Sequence, residues 1–328
     1  QHLHQDHREQ QDRRRRADHL HPYRGGSAHT RILAVVSPLV SVVVPVYNGM
    51  PHLPELAESL LAQTYENLEI IFSDGGSADG SPEYLASLTD PRVRVIQHEG
   101  TGAAGNWTNA TQAATGELIK LVCQDDLLNV DAIAKQVSDL QAHPNAVMAI
   151  AQRDIIDARG QVLYAARGLA GLKGELLPGA DVIRTCYLQG TNVIGEPHMV
   201  LFRANELKSA LPWDDSNPLM LDLSMYAKVA PTGSVAIRHE SIGAFRVSTS
   251  SWSTRLVKLQ LLQTKQWQHA YARTAVPAVS LPQELRAFAG RHMQTALRRA
   301  AYRVLKAKGA FASPTMSAAG ENSGGDGA

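Results

Sequence analysis

The order of segments along this 328-residue chain predicts an α/β fold: an open, mostly parallel, doubly wound sheet flanked by helices. Apolar runs of strand length at Val40–Val46, Leu68–Phe72, Arg92–Gln97 and Glu117–Val122 alternate with helical patterns at His52–Gln63, from Ser81, at Asn106–Thr115 and at Val130–Ala142. Turn residues mark the passages between them, such as Asn48-Gly49 and the Gly/Ser-rich SDGGSADGS. Two of the strands run straight into carboxylates, Asp74 and the pair Asp125-Asp126. In open α/β sheets the carboxyl ends of the strands border the ligand crevice.

Each element has a local reason. Val40–Val46 is β-branched almost throughout and is ended by Pro45 and Asn48-Gly49, while Pro51 suits the first turn of the following helix. Leu68–Phe72 carries Asp74 at its exit, and Ser81-Pro82-Glu83 opens the second helix. Past Pro144 the pattern loosens into short strands, Ala146–Ala151 and Gln161–Ala165, separated by Asp-Ala-Arg-Gly, and then into glycine-rich loops leading to Thr191–Arg203. The expected organisation is a basic, unstructured leader over 1–38 and a main domain over 39–250, in a ligand-binding half (39–143) and an acceptor-side half (144–250). A helical region over 251–310 and a Gly/Ser/Ala tail over 311–328 complete it.

Composition bounds the function. Hydrophobic residues make up 44% of the chain, enough for a sizeable core, and a net charge of +1 argues against a whole-protein nucleic-acid binder. Cys123 and Cys186 form no CxxC pair and no disulfide framework, which points to reducing cytosol. No run approaches the roughly 18 apolar residues that cross a bilayer. The longest candidate, Ile32–Val46, is broken by Ser37, Pro38, Ser41 and Pro45, and Gln1–Thr30 has no apolar signal-like core. The run Arg13–Arg16 reads as part of a solvated leader, with binding to an anionic surface as the alternative.

The acid pair Asp125-Asp126 suits a metal–diphosphate site, because magnesium-type cations take one or two carboxylates and complete their shell with water and phosphate oxygens. A helix N-cap is the plainer reading of the same pair. Gly100-Thr-Gly102-Ala-Ala-Gly105 has the wording of a dinucleotide fingerprint but follows the third strand rather than the first. Asp79 suits either a helix cap or a ligand contact.

Together the ordered motifs VVVPVYNG, SLLAQTYENLEIIFSDGGSADGS, GELIKLVCQDD and LDLSMYAKV resemble those of the family 2 inverting glycosyltransferases, over roughly Ser41 to Arg246. The resemblance implies the GT-A fold, a nucleotide-diphospho-sugar donor carrying UDP or dTDP, and Mn2+ or Mg2+ as cofactor. It also implies a glycan or lipid-linked acceptor in polysaccharide or cell-wall biosynthesis. It assigns Asp126 to the metal, Asp125 to the ribose, Asp74 to the base imide, and Pro45, Tyr47 and Asn48 to the turn beside the base, where Tyr47 stacks. Tyr47 as a core aromatic is the rival reading. Asp222 matches the catalytic base, with an N-cap for Leu223–Val229 as its plain role, and Asp214 and Asp215 are reserves in a turn-rich loop. Glu196 and His198 fall on the acceptor side, where they would bond sugar hydroxyls. A metal role for His198 is set aside because no second histidine stands at ligand spacing. Arg246 matches a loop that folds over the diphosphate, with Ser248–Ser253 as a lid, and Arg203 suits either phosphate or a structural ion pair. The family pattern has a further acid where this chain has Cys123, leaving two carboxylates.

Near the end, Leu281–Lys308 repeats apolar residues at helical spacing and carries seven Lys/Arg against one Glu. That composition permits peripheral membrane contact at the inner face of the plasma membrane, or a packing helix, or a homo-oligomer contact. The sequons at Asn106 and Asn109 fall on a helix and read as chance matches. Two rival functions remain at this stage: a catalytically silent nucleotide- or sugar-binding module of the same fold, and an NAD-dependent oxidoreductase using Gly100–Gly105.

Overall fold

β1 (Val40–Val46) is buried along its whole length between two parallel neighbours, β2 (Leu68–Asp74) and β4 (Leu118–Leu121). Its unbroken apolar run, VSVVVPV, is what a strand covered on both faces requires. The structure is a computed structural model and describes residues 37–98, 100–247 and 258–307. The arginine run, the 1–36 part of the leader, Ser248–Ser253 and the 311–328 tail lie outside the described residues.

The remaining strands are β3 (Val93–Gln97), β5 (Leu127–Leu128), β6 (Ala146–Ile156), β7 (Val162–Arg167), β8 (Leu176–Pro178), β9 (Val200–Arg203) and β10 (Ser234–Arg246). They form one ten-stranded sheet of order β3-β2-β1-β4-β9-β6-β10-β5, with β7 paired to β6 and β8 to β10. β1, β2, β3, β4, β6 and β10 all run the same way, so the expected mostly parallel sheet is present. β9 enters antiparallel between β4 and β6, a crossing the local pattern does not reveal.

Nine α-helices accompany the sheet among the described residues: α1 (Leu53–Leu61), α2 (Ser81–Ala86), α3 (Gly102–Ala113), α4 (Ala132–Ala142), α5 (Gly179–Gln189), α6 (Ala204–Ser209), α7 (Leu221–Val229), α8 (Gln260–Thr274) and α9 (Leu281–Ala307). On one face of the sheet α1 and α4 bury Leu53, Leu56, Leu60, Ile133 and Leu140 against Val40, Val42, Val44 and Val46. On the other, α3, α5 and α7 cover Val43, Ile71 and Ile119, joined by Trp267 of α8 and Ala287 of α9. The alternation along β1 thus feeds two cores, one per face.

Element boundaries shift where local signals mislead. α3 starts at Gly102 rather than Asn106: Gly100 and Gly102, both with φ of 65°, make the turn, and Gly105 lies inside the helix despite its low helix propensity. The glycine run follows β3, an edge strand, rather than β1, the strand that a dinucleotide fingerprint follows. Pro45 lies within β1, opposite Ser73, and not in the turn after it. Odd-numbered residues of β1 bond toward β4, as Val43 O does with Val122 N, and even-numbered ones toward β2, as Val46 O does with Gly75 N. The β1–β4 ladder ends at the Val43–Leu121 pair, so the donor that proline lacks points where no partner strand remains. From there the two strands part, and the acidic turn occupies the opening.

β5 follows Asp126 immediately and pairs with the far end of β10, Leu128 opposite Gly243. A Cβ on Gly243 would stand 2.4 Å from Leu127 O and 3.0 Å from Met199 Cε, so only glycine lets β5 close on β10. Gly243→Ala is therefore expected to lower unfolding stability by roughly 1–3 kcal/mol. Urea denaturation measures this, and an unchanged midpoint would show that β5 is free to retreat.

Candidate functional site

Two turns at the carboxyl ends of β1 and β2 are stitched together. Asn48 adopts a left-handed conformation, φ 50°, which asparagine tolerates better than most side chains. Its N–H donates to Ser77 Oγ at 2.8 Å, and its Oδ1 accepts from Ala78 N at 2.8 Å. Ser77 in turn donates through Oγ and N to Asp74 Oδ1. Asp79 accepts from Met50 N and from Ser81 N at 3.0 Å each, so it ties the turn after β1 to the entry of α2, whose N-cap position is Gly80. Tyr47 is 62% exposed, which removes the core-aromatic reading.

The acidic turn is tied to the same place by a residue the sequence reading passed over. Gln124 Oε1 accepts from Tyr47 N at 2.8 Å while its Nε2 donates to Tyr47 O at 3.0 Å, so one amide side chain closes both backbone groups of Tyr47. Its position directly before Asp125 was the available signal. Asn106 is likewise buried, accepting from Ser73 Oγ at 2.6 Å and donating to Val46 O at 3.0 Å, which leaves its amide no room to carry a glycan.

Asp125 and Asp126 differ in setting. Asp126 is 1% exposed, and its Oδ1 accepts from Arg246 N at 3.3 Å. Its Oδ2 lies 2.8 Å from Nδ1 of His198 without the alignment of a hydrogen bond, and both His198 nitrogens are buried without hydrogen-bond partners. Burial, then the charge of Glu196, pushes the Asp126 carboxyl well above the usual range, and burial with Asp126 pushes Asp125 up to about 7. Burial pushes His198 down to about 3, so the ring is neutral and does not compensate the acids. Although burial works against its ionisation, Glu196 is held below its usual range by Arg153, whose Nη2 donates to Oε1 at 3.0 Å.

Among the described residues no three His, Cys, Asp or Glu side chains are grouped to enclose a metal. The donor set nevertheless fits a hard divalent cation completed by phosphate oxygens and water: a buried carboxylate oxygen without a hydrogen bond, beside a second acid whose proton a cation would displace.

Several expectations are corrected. Arg246 lies in no loop: it is the last residue of β10, 1% exposed, with its guanidinium turned inward. Nε donates to Asp125 O at 3.0 Å, Nη2 to Glu55 Oε2 at 2.6 Å and Nη1 to Ala158 O at 3.4 Å, because a buried guanidinium needs internal acceptors. His198 faces Asp126 rather than an open acceptor cleft, and its ring is fully buried. Glu196 is paired to Arg153. Arg203 donates to the carbonyls of Ala146 and Leu140, a structural role that is neither of the two weighed. Asp214 and Asp215 stand in an exposed loop.

Asp222 is the second residue of α7, not its N-cap. Oδ1 accepts from Leu223 N at 2.6 Å and Oδ2 from Asn192 Nδ2 at 2.8 Å. Asn192 is oriented in turn by accepting from Ile194 N and Gly195 N. Burial is the main cause that pushes the Asp222 carboxyl up to about 7, and Glu196 adds to it, so Asp222 shares the electrostatic surroundings of the acidic cluster. Cys123 feels Asp126, Asp125, Asp222 and Glu196 together, and burial with these charges keeps its thiol protonated.

The chain is similar to known proteins in sequence and in fold. The family described as "Glycosyl transferase family 2" matches residues 41–208. Glycosyltransferase GlyG of Streptococcus pneumoniae is 40% identical over 113 residues, covering 33% of this chain and 38% of that protein. Putative glycosyltransferase EpsH of Bacillus subtilis is 37% identical over 97 residues, 29% of this chain and 28% of its own length. The chain thus spans well under half of these curated relatives. S. aureus TarS 1-349, solved in complex with UDP-GlcNAc, superposes with a TM-score of 0.53 at 15% identity, over 76% of this chain and 79% of that one. Mannosyltransferase PcManGT from Pyrobaculum calidifontis, solved with GDP-Man and Mn2+, gives 0.54 at 20% identity, over 84% and 76%. At such identities the likeness is one of fold, and the fold is the GT-A fold.

Replacing Gln124 by Leu removes both bonds to the Tyr47 backbone. At about 1 kcal/mol per hydrogen bond, the Tyr47 amide is expected to exchange with deuterium roughly thirtyfold faster while the β1 core stays protected. Unchanged exchange at Tyr47 would show that the turn holds itself.

Proposed function

Because the chain belongs to glycosyl transferase family 2, we propose that it is a metal-dependent inverting transferase that moves a sugar from a UDP- or dTDP-sugar to a glycan or lipid-linked acceptor in polysaccharide biosynthesis. The observation that carries the proposal is the buried Asp126 carboxylate with one oxygen lacking a hydrogen bond, set in the β1/β4 opening beside Asp125. That two proteins of this fold were solved with UDP-GlcNAc and with GDP-Man supports the donor class.

Asp126 is the residue to hold Mn2+ or Mg2+, with His198 Nδ1 beside it. When bound, such a cation stabilises the negative charge that gathers on the departing diphosphate. Asp125 faces the ribose, Asp74 accepts from the base imide, and Tyr47, held by Gln124 and exposed above the turn, stacks on the base. Asn48 shapes the turn that carries this contact. Arg246 acts through Asp125 and Asp126 as a positioning residue.

Asp222 takes the proton from the attacking acceptor hydroxyl. Its carboxyl, raised to about 7, is a stronger base than an ordinary carboxylate yet ionises near neutral pH, the compromise general-base catalysis favours. Asn192 keeps one lobe of the carboxylate oriented. Glu196, fixed by Arg153, borders the acceptor side. The transferase domain is assigned to 39–250 and the helical region to 251–310, with a cytoplasmic location.

Two measurements test the proposal. Thermal melts against UDP, dTDP, GDP and NAD, each with and without manganese, should show a manganese-dependent rise with UDP or dTDP that disappears in Asp126→Ala. A rise with NAD alone overturns the reading, and a donor-dependent rise without release of nucleoside diphosphate points to a catalytically silent module. Because only ionised Asp222 accepts a proton, kcat/KM should climb about tenfold per pH unit below about 7 and level off above it. Asp222→Asn should lose roughly 100- to 10,000-fold in rate together with that inflection.

A further inference from the structure

The C-terminal helices carry chemistry that the crevice does not use. Between Lys258 and Ala307 stand nine lysines and arginines against one acid, Glu284, although the whole chain is only +1. The inner face of α9 is committed to the body. A Cβ on Gly290 would meet Leu188 O and Gln189 O at 2.7 Å, so α9 lies directly on the end of α5. Gln268 of α8 donates to Tyr187 O and Ala287 O while accepting from Arg291 Nη1 at 2.9 Å, which locks α8, α9 and α5 together. The outer face of α9 is therefore fixed in direction. It presents Leu281, Leu285, Phe288, Met293, Leu297 and Val304, each between 48% and 68% exposed. At about 100° per residue these occupy roughly half the helix circumference. Arg286, Arg299 and Arg303 are exposed within the same half. Beside it, a cavity of about 270 Å3 lies between α8 and α9, lined by Leu281, Leu285 and Phe288 among others.

We propose that this outer face of α9, with the adjoining surface of α8, docks on an anionic lipid bilayer. Aliphatic and aromatic side chains with arginines between them match the acyl and headgroup layers of such a surface, the long arginine stems reaching outward to the phosphates. A second copy of the chain would have to bring two faces of the same strong positive charge together. A nucleic acid would satisfy the arginines but leave the six apolar side chains without a partner. Docking is peripheral, since no helix among the described residues is long and apolar enough to cross a membrane. Docking would hold the chain at a lipid surface, where a lipid-linked acceptor is at hand. That last step rests on the transferase reading, whereas the docking itself does not.

Co-sedimentation of the full chain with vesicles tests the docking, using phosphatidylcholine alone and an equal mixture with phosphatidylglycerol. The chain should sediment with the anionic vesicles only, and less so as salt is raised. Combining Arg286→Gln, Arg299→Gln and Arg303→Gln should weaken partitioning roughly a hundred-fold, at about 1 kcal/mol per charge. Leu285→Ser with Leu297→Ser should weaken it too, and both sets should melt at the wild-type temperature because these side chains are exposed. Equal sedimentation with both vesicle types, or indifference to the substitutions, overturns the proposal. So does a dimer dissociated by the leucine changes, or retention on duplex DNA that exceeds binding to vesicles. Nucleoside diphosphate release without vesicles, measured on the same preparation, separates the ideas: release without sedimentation refutes docking alone, and sedimentation without release refutes transfer alone.

Discussion

The buried guanidinium of Arg246 holds the site together. From the end of β10 it reaches the carbonyl of Asp125, the carboxylate of Glu55 on α1 and the carbonyl of Ala158 in the β6–β7 turn, while its own N–H meets Asp126. Four separate stretches of chain therefore share one cation. A charge removed this far from water is tolerated only when its donors are met, so the arrangement is all or nothing: displacing any one stretch would leave a guanidinium donor unmet in the interior. Gly243, three residues earlier, lets β5 close on the same strand and fixes where the acidic turn ends.

The acids at the end of β4 and on α7 are poorly compensated by the protein alone. Arg153 is engaged by Glu196, His198 is neutral, and Asp125, Asp126 and Asp222 all have carboxyls shifted upward with burial as the largest cause. Such a cluster stores electrostatic strain that a divalent cation would relieve, which is the physical basis of the proposed metal site. Asp222 stands apart in having an amide partner, Asn192, which keeps it pointed without neutralising it. Environments that differ in this way allow several carboxylates in one crevice to take different roles.

Much of this was legible in the sequence. The parallel half of the sheet followed from the β-branched runs and their turn residues, because a strand buried on both faces has almost no compositional freedom. The acids at strand ends were legible for a related reason: a carboxylate directly after an apolar run has little place to go except the carboxyl edge of the sheet. Sequence by itself determined that Asp74, Asp125 and Asp126 lie at that edge, and that the span 41–208 carries the family pattern.

Only the tertiary structure decided what those residues touch. That Arg246 points inward, that His198 lies against Asp126 rather than an acceptor, and that Gln124 closes on Tyr47 all depend on contacts between residues 72 to 191 positions apart. No local propensity encodes such distances. The antiparallel insertion of β9 and the start of α3 at Gly102 escaped for a similar reason, since strand direction and a glycine-led helix are set by what packs alongside. The exposed face of α9 is the opposite case: its residues were plain in the sequence, but which half of the helix remains uncovered was settled by Gly290 and Gln268, through the close approach that pins the other half to α5.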